Sequence, residues 1–263
     1  MLNKISVLMT VYNGERYLKK SIKSILDQTH INFEFIIVDD YSDDASVAVV
    51  EKFNDKRINL FKLENKFGRT KALNFGLKKC NSDFIAIQDA DDISNKERFS
   101  NSLNYLTKNN GIGLVCSDYE RIDENDNLII NKKNTFNEND LTSRLKFTNL
   151  IPHSSIIFKR KKKLNGELFL YDESFTYAQD YKLILQYLRD SQIFFIRDKL
   201  VKIRSHKKNM TNNKQYKKLI IRENLRLLEF SKRFLISNFS EKIKIKFFKL
   251  KNYLKLFLSY LGD

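Results

Sequence analysis

Short apolar runs rich in β-branched and aromatic residues recur through the first half of the chain, with segments of helical periodicity between them. The runs at Ile5–Thr10, Phe33–Asp39, Ile58–Lys62, Phe84–Gln88 and Ile112–Ser117 predict strands. "RYLKKSIKSILDQ" puts Tyr17, Ile22, Ile25 and Leu26 on one helical face, and "RTKALNFGLKK" does the same with Ala72, Leu73 and Leu77. This alternation predicts an α/β fold with a mostly parallel central sheet flanked by helices. From Asn125 to Asn149 the pattern is polar and weak, an irregular excursion. A strand at Ser155–Phe158, a basic turn "KRKKK", an acidic-aromatic loop "YDESFTYAQD", a helix over Tyr181–Asp190, and strands at Gln192–Ile196 and Leu200–Arg204 follow. Pro152, the only proline, predicts a turn. The last fifty or so residues predict helices; there Ile243, Phe247, Leu250, Leu254, Phe257 and Leu261 recur at helical spacing with lysines around them, a basic amphipathic helix.

Composition changes this picture little. A chain of 263 residues, 42% hydrophobic and 30% charged, suffices for one large globular domain with an appendage. It has neither a membrane-length apolar run nor a secretory leader, so a cytoplasmic protein is expected. Cys80 and Cys116 are read as buried free thiols. The net charge of +16 is concentrated at one end: residues 201–263 hold 17 Lys and Arg against 4 Asp and Glu. Nucleic-acid binding through this tail is an alternative function, but its aromatic residues fall mainly on the apolar side. The helix could instead pack on the rest of the chain, pair with a second copy as a homodimer, or lie peripherally on an anionic membrane.

Candidate chemistry lies behind the strands. "TVYNGE", "DDYSDD" and "DADD" follow the first, second and fourth runs, and ligands of open α/β sheets bind at the carboxyl ends of strands. Asp89 and Asp91 offer hard oxygen ligands to Mg²⁺ or Mn²⁺. The structural explanation, in which Asp92 caps a following helix, accounts for one aspartate of the three. Asp39 and Asp40 suit a polar turn, with Ser42, Asp43 and Asp44 capping the next helix, as well as they suit a contact to a base or ribose.

In order along residues 4–211, "ISVLMTVYNGERYLKKSIKSILDQTHINFEFIIVDDYSDD", "NKFGRTKALNFGL", "FIAIQDADD", the "QD" before "YKLILQYL", and "RSHKKNMT" resemble the family 2 glycosyltransferases of GT-A fold. The resemblance implies a catalytic domain over 1–211, with a nucleotide-binding part (1–118) and an acceptor part (119–211), followed by a helical extension over 212–263. It implies inverting, metal-dependent transfer of a sugar from a UDP-sugar donor to a glycan acceptor, lipid-linked, in surface polysaccharide synthesis. Thr10, Val11, Tyr12, Glu15 and Ala90 would line the nucleotide-sugar pocket, Asp39 would bind the uracil imide, Arg69 would lie over the nucleotide or its phosphates, and Asp89 would approach the ribose. Asp91 would hold Mn²⁺ or Mg²⁺ with help from His206, and Asp180 would be the base. Gln179, His153 and Arg204 would serve the acceptor side or its loops. Gln179 stands where the family usually has Glu. Tyr41 stands where it commonly has Gly, so this turn is expected not to need positive φ. His30 is read as a cap ending the first helix. A nucleotide-sugar-binding protein without catalysis is the second alternative.

Overall fold

The computed structural model describes residues 3–129, 138–161, 168–207, 209 and 216–261. Part of the polar excursion, the end of the basic turn "KRKKK", and Lys208, Met210 and Thr211 of "RSHKKNMT" lie outside the described residues. The strands are β1 (Ile5–Val11), β2 (Phe33–Asp39), β3 (Ile58–Lys62), β4 (Phe84–Ile87), β5 (Ile93–Ser94), β6 (Ile112–Ile122), β7 (Leu128–Ile129), β8 (Ile157–Lys159) and β9 (Gln192–Arg204). The helices are α1 (Glu15–Leu26), α2 (Ser46–Glu51), α3 (Arg69–Lys79), α4 (Arg98–Lys108), α5 (Glu138–Leu145), α6 (Gln179–Asp190), α7 (Lys217–Phe234) and α8 (Phe239–Leu261).

One sheet runs in the order β3-β2-β1-β4-β8-β6-β9-β5, with β7 on β6. β3, β2, β1 and β4 are parallel; β8 is antiparallel to β4 and β6, and β9 is parallel to β6. Alternation along the strands builds two cores. Ile5, Val7, Met9 and Val11 of β1, with Phe33, Phe35 and Ile37 of β2, face α1 and α4; Leu8, Ile36 and Val38 face α3 and α6. Each fully buried aliphatic or Phe side chain contributes about 1.5–3 kcal/mol. The second layer is close-packed at Gly76, where a Cβ would stand 2.2 Å from Leu8 Cδ1, so α3 sits on β1 through a bare backbone.

Several expectations shift. Gln192–Arg204 is one strand: pairing with β6 passes from Ile196 opposite Ser117 to Lys199 opposite Asp118, and Arg197 and Asp198 fall in the register shift between them. Pro152 does set a turn, the 3-10 helix His153–Ser155. His30 caps nothing; α1 ends at Leu26, and His30 Nε2 bonds instead to the Asn3 carbonyl at 2.8 Å. Asp92 does not open a helix, because β5 follows it and α4 begins after Glu97. Cys80 and Cys116 are buried thiols with no disulfide between them, and burial pushes the Cys80 thiol up to about 12.

Candidate active site

The parallel strands end together, with Val11 opposite Asp39 and Asp39 opposite Lys62, so the loops after them form one rim. Reciprocal bonds join two of these loops. Asn13 N–H donates to Ser42 Oγ (3.0 Å), Asp43 N–H to Asn13 Oδ1 (3.0 Å), Gly14 N–H to Ser46 Oγ (2.9 Å) and Ala45 N–H to Glu15 Oε2 (2.9 Å). Glu15 therefore ties the rim together. Tyr12 is 43% exposed with Lys66 Nζ 3.7 Å above its ring; Thr10 and Ala90 are half-buried and Val11 is buried beside them.

Asp39 and Asp40 divide their work. Asp39 Oδ2 accepts from Ser42 N–H at 3.0 Å, while its Oδ1 is buried without a partner. Asp40 accepts from Phe67 N–H (2.8 Å) and Gly68 N–H (2.9 Å), fixing the approach to α3; burial raises its carboxyl against those two bonds. Gly68, at φ 90, needs the freedom glycine has, and Arg69 follows it. Held between these two anchors, Tyr41 takes φ 66, contrary to the expectation that this turn avoids positive φ. A side chain there costs roughly 1–2 kcal/mol, which the hydrogen bonds of the flanking aspartates offset.

The acidic loop after β4 resolves its own repulsion. One carboxylate oxygen each from Asp89, Asp91 and Asp92 lies within 4.8 Å of the others. Burial works against ionising Asp89, but Arg69 at 2.5 Å and His153 outweigh it, and its carboxyl is held well below the ordinary range. Arg69 is raised in turn: burial opposes its charge and Asp89 overrides. Asp92 goes the other way. Burial, then Asp91 and Asp89, push it well above the ordinary range, and it accepts from Ser154 Oγ (2.5 Å) and Arg204 N–H (2.9 Å). Arg98 is buried and lowered to about 9 by desolvation, with Asp92 and Asp89 opposing, and it donates to the Ile87 and Ile156 carbonyls at 2.7 and 3.1 Å.

Asp91 meets His206 Nε2 at 2.9 Å and Asn209 Nδ2 at 3.2 Å through one carboxylate oxygen, Oδ2. A carboxylate beside an imidazole fits a divalent cation. Arg204 braces the loop: it donates to the carbonyls of Asp91 (2.9 Å) and Asp123 (2.8 Å) and pairs with Asp126 at 2.5 Å. His153 is buried. Its Nδ1 lies 3.0 Å from Arg69 Nη2 and 3.5 Å from Asp89 Oδ1, and its Nε2 lies 2.8 Å from Tyr171 Oη, so the ring sits between the Arg69–Asp89 pair and the phenol.

Asp180 approaches from another part of the chain. It lies in the first turn of α6, which starts at Gln179, so it is not the helix cap. Oδ1 accepts from Tyr181 N–H (2.7 Å) and Oδ2 from Asn149 Nδ2 (3.1 Å). Burial raises its carboxyl, with His153 and Arg69 opposing. Gln179 is buried with Oε1 unpartnered. The N-cap, Ala178, has no capping side chain; Glu223 of α7 substitutes, accepting from the N–H groups of Thr176 (2.7 Å), Tyr177 (2.9 Å) and Ala178 (2.8 Å). Spacing pointed to none of Asn149, Ser154, Tyr171, Asn209 or Glu223 as members of this site. Ser154, beside His153, and Asn209, within "RSHKKNMT", had a local signal.

The Glycosyl transferase family 2 model matches residues 6–169. An uncharacterized glycosyltransferase of Haemophilus influenzae is 31% identical over 212 residues, 77% of this chain and 65% of the relative, so the matched segment is just under two thirds of that protein. The UDP-Glc:alpha-D-GlcNAc-diphosphoundecaprenol beta-1,3-glucosyltransferase WfgD of Escherichia coli is 30% identical over 193 residues, 72% of this chain and 71% of its own. Among solved structures, the mannosyltransferase PcManGT of Pyrobaculum calidifontis in complex with GDP-Man and Mn2+ superposes with a TM-score of 0.70 at 16% identity, covering 98% of this chain and 73% of that one. S. aureus TarS 1-349 in complex with UDP-GlcNAc gives 0.64 at 19% identity, covering 86% and 70%. At such identities the likeness is one of fold, and that fold is GT-A. With a family match over more than half of its length, the chain belongs to glycosyl transferase family 2.

Proposed function

We propose that the protein transfers a sugar from a UDP-linked donor to an acceptor hydroxyl, with inversion at the anomeric carbon, during assembly of a surface glycan on a lipid-linked precursor at the cytoplasmic side. The observation that carries this reading is the opposed tuning of carboxylates around one crevice: Asp89 is held ionised by Arg69, while Asp180, on a separate segment, is made more basic by burial. An inverting transfer needs that division, because the base must take a proton from the attacking hydroxyl on the side away from the leaving diphosphate. Asp180 accepts one bond at each oxygen, which fixes its orientation and leaves lone pairs for the acceptor proton.

The unpartnered Asp39 Oδ1 suits the imide N–H of uracil. Arg69 would turn its guanidinium to the phosphates, and Asp89 would face the ribose. Thr10, Val11, Tyr12 and Ala90 would line the base and sugar. Mn²⁺ or Mg²⁺, held by Asp91 and His206, would neutralise charge on the departing diphosphate. The WfgD name supports a UDP-hexose and a lipid diphosphate acceptor, and TarS, which binds UDP-GlcNAc, supports the nucleotide. PcManGT, bound to Mn2+, supports a divalent cation.

The test is UDP release from a panel of UDP-sugars, with Mn²⁺, Mg²⁺ or chelator, over acceptors that include polyprenyl-diphosphate sugars. Cation-dependent release with a β-linked product from an α-linked donor is expected. Thermal stabilisation by UDP without turnover on any acceptor would instead mark a nucleotide-sugar-binding protein.

A further inference from the structure

Helix α8 is apolar on two opposite sides. Its inner side carries Ile245 and Phe248, packed with Phe147, Leu228 and Ile236, and Phe248 stacks on Phe147 at 5.3 Å. Glu241 on the same side pairs with Lys146 at 2.7 Å. At about 3.6 residues per turn, Phe239, Ile243, Phe247, Leu250, Leu254 and Phe257 gather on the far side, and these are 53–77% exposed. The stripe singled out in the sequence is thus not the one that packs on the protein. Lys244, Lys251 and Lys255 border one edge of it, and Lys242, Lys246 and Lys249 the other; all are exposed except Lys249, which pairs with Glu229. The single carboxylate of the helix, Glu241, is buried on the inner side.

We propose that this outer stripe seats α8 in the plane of an anionic lipid surface. Aromatic and aliphatic side chains enter the acyl boundary, while lysines on both edges reach back to lipid phosphates. Charge selects this occupant. A second copy docked stripe to stripe would oppose rows of lysines, with no carboxylate on the exposed side of either helix to meet them. No helix among the described residues is long and apolar enough to cross a membrane, so the contact lies along the surface. The proposal stands independently of the transfer reaction.

Flotation of the full chain with vesicles of phosphatidylcholine and phosphatidylglycerol in equal parts, against phosphatidylcholine alone, tests it. The protein is expected to float with the anionic vesicles at least about tenfold more than with the neutral ones, and less as salt rises. Phe247→Asp with Leu254→Asp should cut that binding by about tenfold or more at an unchanged Tm, since both residues face away from α7. Lys244→Gln with Lys251→Gln and Lys255→Gln should weaken it and flatten its salt dependence. Failure of the unmodified protein to float, binding indifferent to the aspartate substitutions, or a dimer in sedimentation that those substitutions dissolve would each overturn the proposal.

Discussion

As the proposed base, Asp180 has opposed requirements for stability and for chemistry. Burial raises its pKa, so between the unfolded and folded values the native state binds more protons than the unfolded one, and stability falls as pH rises through that window. Above it, the ionised carboxylate remains a destabilising group. The base function needs this same ionised form. Transfer is therefore expected to decline on acidification at a pH above the ordinary Asp range, visible as the acid limb of kcat/KM. Asp180→Asn should lower kcat by about 10²–10⁴-fold with little change in donor KM, and should keep or raise Tm at neutral pH because the buried charge is gone. Full activity in that variant would remove Asp180 from the base role. Asp39→Asn tests the other wall: placing an amide where Oδ1 is unpartnered should weaken UDP binding by about 10-fold to 100-fold, measured by calorimetry. Asp91 stands out as part of an acidic cluster behind a strand, whereas position alone leaves Asp39 and Asp180 balanced against a polar turn and a helix cap, and the family resemblance singles them out. Asp92 misled, since its neighbours suit a cap; Ser154 and Arg204, its actual partners, are 62 and 112 residues away.

At the scale of elements, α6 shows what local pattern leaves out. Periodicity located the helix but started it late, at Tyr181, because Asp180 itself looks like a cap. The cap comes from α7 instead, where Glu223 is buried and receives N–H bonds from Thr176, Tyr177 and Ala178. In the sequence, Glu223 is one charge on an amphipathic helix, and no local rule separates it from Glu229. Removing it leaves the start of α6 unsatisfied within a buried junction. Glu223→Ala should destabilise the protein by about 2–4 kcal/mol, read in denaturant unfolding. It should also reduce kcat under conditions where the variant remains folded, since Asp180 loses its orientation. Glu223→Gln keeps one acceptor oxygen and should fall between the two. Wild-type activity in Glu223→Ala would mean that α6 holds its first turn unaided. The parallel half of the sheet was more legible, because strands buried on both faces read as nearly continuous apolar runs. β5 and β7 were not, being too short to show alternation.

For the whole molecule, the same contact decides where the chain can be divided. Composition suggests a boundary near residue 211, where the basic tail begins, yet the tail's two helices relate differently to the rest. α7 closes a small core through Leu227, packed with Phe175, Ala178, Tyr181 and Leu185, and supplies Glu223. α8 attaches through Ile245, Phe248 and the Lys146–Glu241 pair. Deleting 212–263 should therefore expose Phe175 and Tyr181 and unseat Asp180, giving a chain that aggregates or binds UDP without turnover. Deleting 236–263 uncovers mainly Phe147 and Leu228. It should lower Tm by several degrees, at about 2–4 °C per kcal/mol for a chain of this size, and retain UDP binding and donor turnover on a soluble acceptor. Thermal unfolding and turnover of the two truncations, compared side by side, check this. Equal behaviour would show that α7 contributes no more to the site than α8, whereas the expected split makes α7 part of the catalytic unit and leaves α8 as the separable element.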